Sequence, residues 1–320
     1  MKAAVYSRYG PPDVVSVQVT DKPVPVENEI LVRVHASTVN RTDCGFRSAN
    51  YFIVRFFSGL LRPKNQVLGC EFSGEVAEVG KSVLSYKPGD KVFGFNDIRF
   101  GGHAEYLLVN ETDAVTIMPE NISYYEAAAI SEGAHYALCD LRAAKVAKGQ
   151  EVLVNGATGA IGSAAVQLLK HFGVRVTAVC EGKHKELVSG LGADEVIDYT
   201  TEDFTACGKT FDLVFDAVGK SSFGKCKPLL KKRGIYISTE LGYMSQNPFL
   251  AIFTPLFGGK QVLFPLPSIS RADVDFLKDL VAKGSFKPVI DRHYSLEEIV
   301  EAYRYVETGM KTGNVVLKIR

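Results

Sequence analysis

The stretch Glu151-Val152-Leu153-Val154-Asn155-Gly156-Ala157-Thr158-Gly159-Ala160-Ile161-Gly162 carries an apolar run into three glycines spaced three apart, and an amphipathic segment follows through Lys170. A strand, a tight turn and a helix in that order make a cradle for a diphosphate. The first glycine, Gly156, permits a sharp exit from the strand. Gly159 lets backbone amides come close to a pyrophosphate, and Gly162 lets the helix pack against the sheet. The positive end of the helix then faces the anion. The spacing is Gly-x-x-Gly-x-x-Gly where Gly-x-Gly-x-x-Gly is usual, so the strand–turn–helix setting and the second strand at βαβ distance carry the reading.

Outward from this turn, apolar strands alternate with helical stretches. Arg175–Val179, Phe211–Asp216 and Ile235–Ser238 read as strands, and Gly162–Phe172, Lys183–Leu191 and Ser222–Leu230 as helices. That rhythm indicates βαβ units around a parallel sheet. It begins near Ser123, where Glu126 three residues on completes a capping box. Before it, short apolar runs (Ile30–Val34, Glu75–Val79, Lys91–Phe95) are divided by Pro and Gly turns, the pattern of a β-barrel or sandwich. After it come a short strand, Gln261–Phe264, helices over Ala272–Ala282 and Leu296–Val306, and a closing strand, Asn314–Ile319.

Composition narrows the function classes. Lys and Arg number 37 against 36 Asp and Glu, with no block of one sign, which is not the footprint of a nucleic-acid or membrane-surface binder. No apolar run reaches the length of a membrane span, and no leader-like segment opens the chain, so a cytoplasmic location is expected. The six cysteines form no Cys-x-x-Cys pair, as expected of free thiols in a reducing compartment.

The coenzyme choice turns on the end of the second strand. A ribose-binding acid is expected about 20 residues after the glycine turn, but Cys180 stands there, and Lys183 follows where a 2′-phosphate would lie. Glu181 counts the other way. NADP is favoured, with NAD as the alternative.

With these residues in hand, the whole chain resembles the medium-chain dehydrogenase/reductase superfamily, and within it the zinc-free quinone oxidoreductase-like branch. The motifs that carry the resemblance run in order. They are Met1-Lys2-Ala3, Val39-Asn40-x-x-Asp43, Leu68-Gly69-Cys70-Glu71-Phe72-Ser73-Gly74 and Pro88-Gly89-Asp90-x-Val92. Gly101-Gly102-His103-Ala104-Glu105-Tyr106 and the glycine turn come next. Leu191-Gly192-Ala193-Asp194-x-Val196-Ile197-Asp198-Tyr199, Phe215-Asp216-x-Val218-Gly219 and Lys311-x-Gly313-Asn314-Val315-Val316 close the series. The resemblance implies an α/β protein with a doubly wound parallel Rossmann sheet over 123–266. A chaperonin-10-like β-barrel domain would be built from 1–122 and 267–320, with the active site in the cleft between the two. It also implies a homodimer paired through Gln261–Phe264. The implied cofactor contacts, besides the three glycines, are Thr158, Ala160 and Ile161 at the pyrophosphate. Lys183 and Tyr199 would meet the adenosine ribose, Val218, Gly219, Leu241 and Gly242 the nicotinamide side, and Lys311 and Asn314 would close from the tail.

Aligned by these motifs, the catalytic zinc positions of related alcohol dehydrogenases fall on Asn40, Cys70 and Glu132. An asparagine amide is a poor zinc ligand, a lone Cys70 reads as a small core residue, and the four-cysteine structural lobe is missing. No metal is expected. Without a Lewis acid the chemistry suits small-molecule acceptors that are already electrophilic, such as quinones and α,β-unsaturated carbonyls. Candidate catalytic groups are the Asn40 amide and the Tyr51 hydroxyl, with Asp43 orienting one of them. His135 is a possible relay or a structural histidine. The apolar stretch Tyr51–Pro63 reads as the lining of an acceptor pocket, a lid over it, or a partly buried loop. Two rival readings remain: a zinc alcohol dehydrogenase using Cys70 and Glu132, and a nucleotide-binding protein of the crystallin kind that turns nothing over.

Overall fold

The computed structural model describes all residues from Met1 to Arg320. They divide into two units, Gly133–Ser268 and Met1–Glu132 with Ile269–Arg320. The unit Gly133–Ser268 is built on six parallel strands: Glu151–Asn155, Arg175–Cys180, Glu195–Asp198, Phe211–Asp216, Leu230–Ser238 and Gln261–Leu263. In the sheet they stand third, second, first, fourth, fifth, sixth, the doubly wound order. Val152, Leu153 and Val154 are 0% exposed, as expected of a central strand covered on both faces. The chain runs outward in both directions from the first strand and its neighbour, the fourth. The ends of these two strands, Asn155 and Asp216, therefore mark the point where such sheets bind ligands.

The second unit holds a seven-stranded sheet and a separate hairpin, Lys2–Val5 with Ser16–Val19. Its spine is Glu29–Val39, an eleven-residue strand that pairs with Glu71–Val79 along one side. Along the other side it pairs first with Tyr106–Asn110 and then with Asn314–Lys318. The C-terminal strand thus rejoins the N-terminal sheet. One core gathers Ile30, Val32, Val34, Phe72 and Val92. A second gathers Leu68, Phe95, Leu296, Ile299 and Tyr303, where the helix Ile299–Glu307 lays its apolar face down.

Most sequence-derived elements appear within a residue or two, and the differences have local causes. The first break between units falls at Glu132–Gly133, ten residues beyond the 122/123 division expected from the sequence, and the second falls at Ser268–Ile269. The Ser123–Glu126 capping box forms, but its helix is the short Tyr124–Ala128, inside the β-rich unit. The helix expected over Ser222–Leu230 is only Phe223–Cys226, because Pro228 tightens the chain into the 3₁₀ turn Lys227–Leu229. The helix expected from Lys183 starts at Lys185, after a 3₁₀ turn over Gly182–His184. The helices Arg41–Ser48 and Gln246–Phe253 were not anticipated. No helix is long and apolar enough to cross a membrane.

Candidate active site

In the parallel-sheet unit the three glycines divide their work clearly. Gly156 has φ +80°, and a Cβ there would meet Val218 Cγ1 at 2.3 Å. A Cβ on Gly162 would lie 2.1 Å from the Gly156 carbonyl oxygen, so this glycine lets the helix close on the turn itself, not on the sheet as the spacing suggested. Gly159 is different. It is the N-cap of the helix Ala160–His171, and the nearest atom to an added Cβ is 3.7 Å away. No side chain caps the helix there, which leaves an open shoulder with helix-start amides facing it. Ala160 and Ile161 follow at once on that first turn, while Thr158 precedes the cap.

The opposite wall is set by Asp216, which is fully buried at the end of its strand. Its carboxylate accepts from the Asn155 amide at 3.0 Å and from the Ser221 N–H at 2.8 Å. The Tyr236 hydroxyl donates at 3.2 Å and the Val218 N–H at 3.4 Å. Val218 and Gly219 are thereby fixed against Gly156. The Asn155–Asp216 tie escaped the sequence reading, although both residues stand at the ends of strands that reading found. Leu241 and Gly242 follow the next strand, Gly242 at φ +72° over the Asn247 side chain.

At the end of the second strand Cys180 is 1% exposed, so its thiol points inward and offers nothing to a ribose. Lys183 bonds to Glu181 at 2.8 Å, and this contact holds its ammonium above the ordinary lysine range. Tyr199 is exposed at the same rim. Asp198, quoted in a motif but given no role, lies close against Gly182: a Cβ on that glycine would meet Asp198 Oδ2 at 2.2 Å. Thr200 donates to it through both N–H and hydroxyl, and these bonds hold the carboxyl below its usual range.

In the β-rich unit, Asn40 and Asp43 come together as a reciprocal cap on the helix Arg41–Ser48. The Asp43 N–H donates to Asn40 Oδ1 at 3.0 Å, and the Asn40 N–H to Asp43 Oδ2 at 3.3 Å. The Asn40 side-chain amide donates to Thr38 Oγ1 at 3.3 Å and to Cys70 Sγ at 3.1 Å. Both its hydrogens are thus committed to the scaffold, which corrects the expectation of Asn40 as a free donor. Asp43 is 0% exposed, and burial pushes its carboxyl up to about 7 against the pull of N–H groups from Gly69, Asn40 and Cys70. Tyr51 stands apart, on an exposed bend, with no hydrogen bond to either. The large apolar side chains of the Tyr51–Pro63 stretch face solvent, although Ser58 and Pro63 turn inward.

Around Cys70 the buried acids ionise less readily than in water. Burial drives the thiol well above its ordinary range, and neighbouring carboxylates add to the effect. Glu71 accepts from Thr38 Oγ1 and from the Glu132 N–H, both at 2.6 Å, and burial raises it to about 8. Glu132 accepts from Thr42 at 3.2 Å and is raised to about 6, chiefly by burial and against the pull of the Lys311 charge. Lys311 bonds to the Gly313 carbonyl, and burial lowers its ammonium below the ordinary lysine range. Asn314 donates to the carbonyls of Val289 and Ala129 at 3.0 and 3.3 Å. No three His, Cys, Asp or Glu side chains converge as a metal ion would require. Burial raises the three carboxyls, Asp43, Glu71 and Glu132, into the range from about 6 to about 8 and leaves almost none of their surface exposed. Asp43 sets the backbone around Gly69, Cys70 and Asn40, and Glu71 that of Glu132. The buried His135 lies 4.4 Å from the Tyr136 ring, in tilted contact.

Comparison with known proteins adds the lineage. Residues 26–120 match the alcohol dehydrogenase GroES-like domain, and residues 191–317 match the zinc-binding dehydrogenase domain. A 2-methylene-furan-3-one reductase of Solanum lycopersicum is 32% identical over 99% of this chain and 79% of its own length. A chloroplastic quinone oxidoreductase of Triphysaria versicolor is 31% identical over 99% of this chain and 98% of its own. Among solved structures, the quinone oxidoreductase of Coxiella burnetii superposes with a TM-score of 0.87 at 29% identity. It covers 100% of this chain and 99% of that one.

Proposed function

The chain belongs to the medium-chain dehydrogenase/reductase superfamily, in its quinone oxidoreductase-like branch, and is an NAD(P)H oxidoreductase of the quinone or enone type; on that footing we propose that it uses NADPH to reduce a quinone or an α,β-unsaturated carbonyl without a metal ion. The observation that carries the reading is the shoulder at Gly159, where an uncapped helix start meets open space beside Gly156 and Gly162, neither of which has room for a Cβ. A diphosphate fits that cradle in charge and in room. When bound, the nicotinamide supplies the hydride that such acceptors take up.

The chain's own residues do the rest. Gly156, Gly159 and Gly162 shape the cradle, the amides of Ala160 and Ile161 hold the diphosphate, and Thr158 flanks it. Val218 and Gly219, braced by Asp216, together with Leu241 and Gly242, line the nicotinamide side. Lys311 and Asn314 of the C-terminal tail bond within their own unit, to the carbonyls of Gly313, Ala129 and Val289. Lys183 and Tyr199 receive the adenosine end; the buried Cys180 offers no acid there, and Glu181, the acid that would favour a bare ribose hydroxyl, is paired with Lys183. Asn40 and Asp43 hold the backbone at Gly69 and Cys70 in place. The Tyr51 hydroxyl, free of internal partners, is the group able to donate to the oxygen that gains charge. An asparagine amide at the first metal position is a poor ligand, so activation rests on orientation and dipoles. That suits conjugated acceptors. The unpaired edge Gln261–Leu263 supports a homodimer, and six free thiols support a reducing compartment such as the cytoplasm.

The test is oxidation of NADPH and of NADH by the purified chain against quinones, 2-alkenals and simple aldehydes, with metal analysis of the same sample. NADPH with a conjugated acceptor is expected to react fastest. Glu181→Gln, by releasing Lys183, is expected to tighten NADPH severalfold and leave NADH unchanged. One tightly held zinc per chain whose removal abolishes turnover would overturn the metal-free reading. Binding of NADPH with no turnover on any acceptor would favour the non-catalytic one.

A further inference from the structure

Seven large apolar side chains stand out of the β-rich unit within eleven residues: Tyr51, Phe52, Ile53, Phe56, Phe57, Leu60 and Leu61, with Phe57 74% and Leu61 90% exposed. Scattered exposed leucines mean little, but a contiguous patch of this kind marks a contact surface. Its charge says with what. The near-zero overall charge argues against a membrane surface, but the local balance differs: between Asp43 and Glu71 the chain has no acidic residue, while Arg55, Arg62 and Lys64 lie inside or at the edge of the patch.

The patch is held rigidly from below. The Tyr9 hydroxyl donates to the Gly59 carbonyl at 2.6 Å and lies 2.7 Å from Ser58 Oγ. The Arg55 guanidinium covers the Tyr9 ring at 5.0 Å, and the Lys64 N–H closes the loop on the Ser58 carbonyl at 2.8 Å. Inside the loop, Val54, Arg55 and Phe56 donate their N–H groups to the carbonyls of Tyr51, Phe52 and Ile53. The tip therefore satisfies much of its own backbone while presenting apolar side chains outward, which is what insertion into an apolar medium demands.

We propose that Phe52–Lys64 docks this chain on an anionic lipid bilayer, with Phe57 and Leu61 entering the interface and the exposed Arg62 and Lys64 meeting the headgroups. A second copy of the chain is a poor occupant, because a face-to-face pair would bring like charges together with no carboxylate in the segment to pair them. An apolar lid folded over its own core would bury these side chains, and they are exposed. Aromatic and aliphatic groups ringed by cations match the headgroup boundary of a bilayer. Docked in this way, the chain would meet acceptors dissolved in the membrane; that consequence rests on the reductase reading above, whereas the docking does not.

The experiment is flotation of the full chain with vesicles of phosphatidylcholine alone and of phosphatidylcholine with phosphatidylglycerol. The Phe57→Ser/Leu61→Ser double variant is run beside it, and both chains are passed over a sizing column. A cation near an anionic surface contributes roughly fivefold, so Arg62 and Lys64 together predict about a twenty-fivefold preference for the anionic vesicles, lost in high salt. The double variant is expected to lose at least tenfold in binding while keeping its size. Undiminished flotation of the variant, equal binding to both vesicle types, or no binding would each overturn the proposal. So would a shift of the variant to a smaller species, which would assign the patch to a second copy. NADPH oxidation with a water-soluble quinone, measured without vesicles, reports on the redox reading separately and is expected to be unchanged in the variant.

Discussion

The Asn155 amide donates to the Asp216 carboxylate at 3.0 Å, tying the ends of the first and fourth strands of the parallel sheet where the winding reverses. The same carboxylate takes the Tyr236 hydroxyl and two N–H groups of the following loop. Asp216→Ala would strand several buried donors, at about 1–3 kcal/mol for each that finds no water. Asn155→Ala removes one bond of four and should cost about 1 kcal/mol. Thermal unfolding should rank the variants in that order. NADPH titration by fluorescence should show Asp216→Ala weakened even where it folds, because Val218 and Gly219 lose their brace.

Gly159 and Gly162 separate binding from folding. Gly159 has φ −68° and free space around it, so Gly159→Leu should fold with stability within about 1 kcal/mol of the parent, yet its side chain would fill the proposed diphosphate seat. NADPH affinity should fall at least tenfold. Gly162→Ala is the opposite case: its Cβ would press on the Gly156 carbonyl at 2.1 Å, so stability should drop by about 1–3 kcal/mol. Wild-type NADPH affinity in a folded Gly159→Leu chain would remove the diphosphate from this turn.

Much of this arrangement was legible in the residues. Strong periodicity and glycine spacing located five of the six parallel strands, the glycine turn and the closing strand, because each of those signals is local; the short strand Glu195–Asp198 was not among them. What stayed hidden depends on contacts distant in sequence. Asn40 and Asp43 were picked out as a pair, but only the approach of Thr38 and Cys70 shows that the Asn40 amide is already spent. Cys180 could be read as a missing acid. That Asp198 from the third strand packs against Gly182 depends on strand register. The helix Gln246–Phe253 carries Pro248 near its start and no charge at all, so no cap or ion-pair pattern announced it.

That uncharged stretch bears on assembly. From Leu241 to Gly259 there is no charged residue, and Tyr243, Met244, Phe249, Ile252, Phe253, Leu256 and Phe257 are all exposed. It leads directly into Gln261–Leu263, an edge strand paired on one side only. An open edge beside an apolar, neutral surface suits a two-fold copy of itself. Sedimentation should give a two-chain particle, and Ile252→Glu/Phe257→Glu should give a folded single chain. A single-chain mass for the parent would refute the pairing.

Asp140 supplies a pH dependence of defined sign. It is 6% exposed on the helix Ser131–Ala143, and burial pushes its carboxyl up to about 8 with no hydrogen bond or cation to offset it. The unfolded chain releases this proton near the ordinary value of about 4. Between those two pH values the folded state holds a proton that the unfolded state has lost. The residue therefore lowers stability progressively as pH rises from about 4 to about 8, at up to about 1.4 kcal/mol per pH unit. Asp140→Asn cannot ionise and keeps the shape. Compared by urea unfolding, it should match the parent near pH 4 and exceed it by a few kcal/mol at pH 8. Parallel stability curves for the two chains would mean that Asp140 is charged in the folded state and has a partner that holds it there.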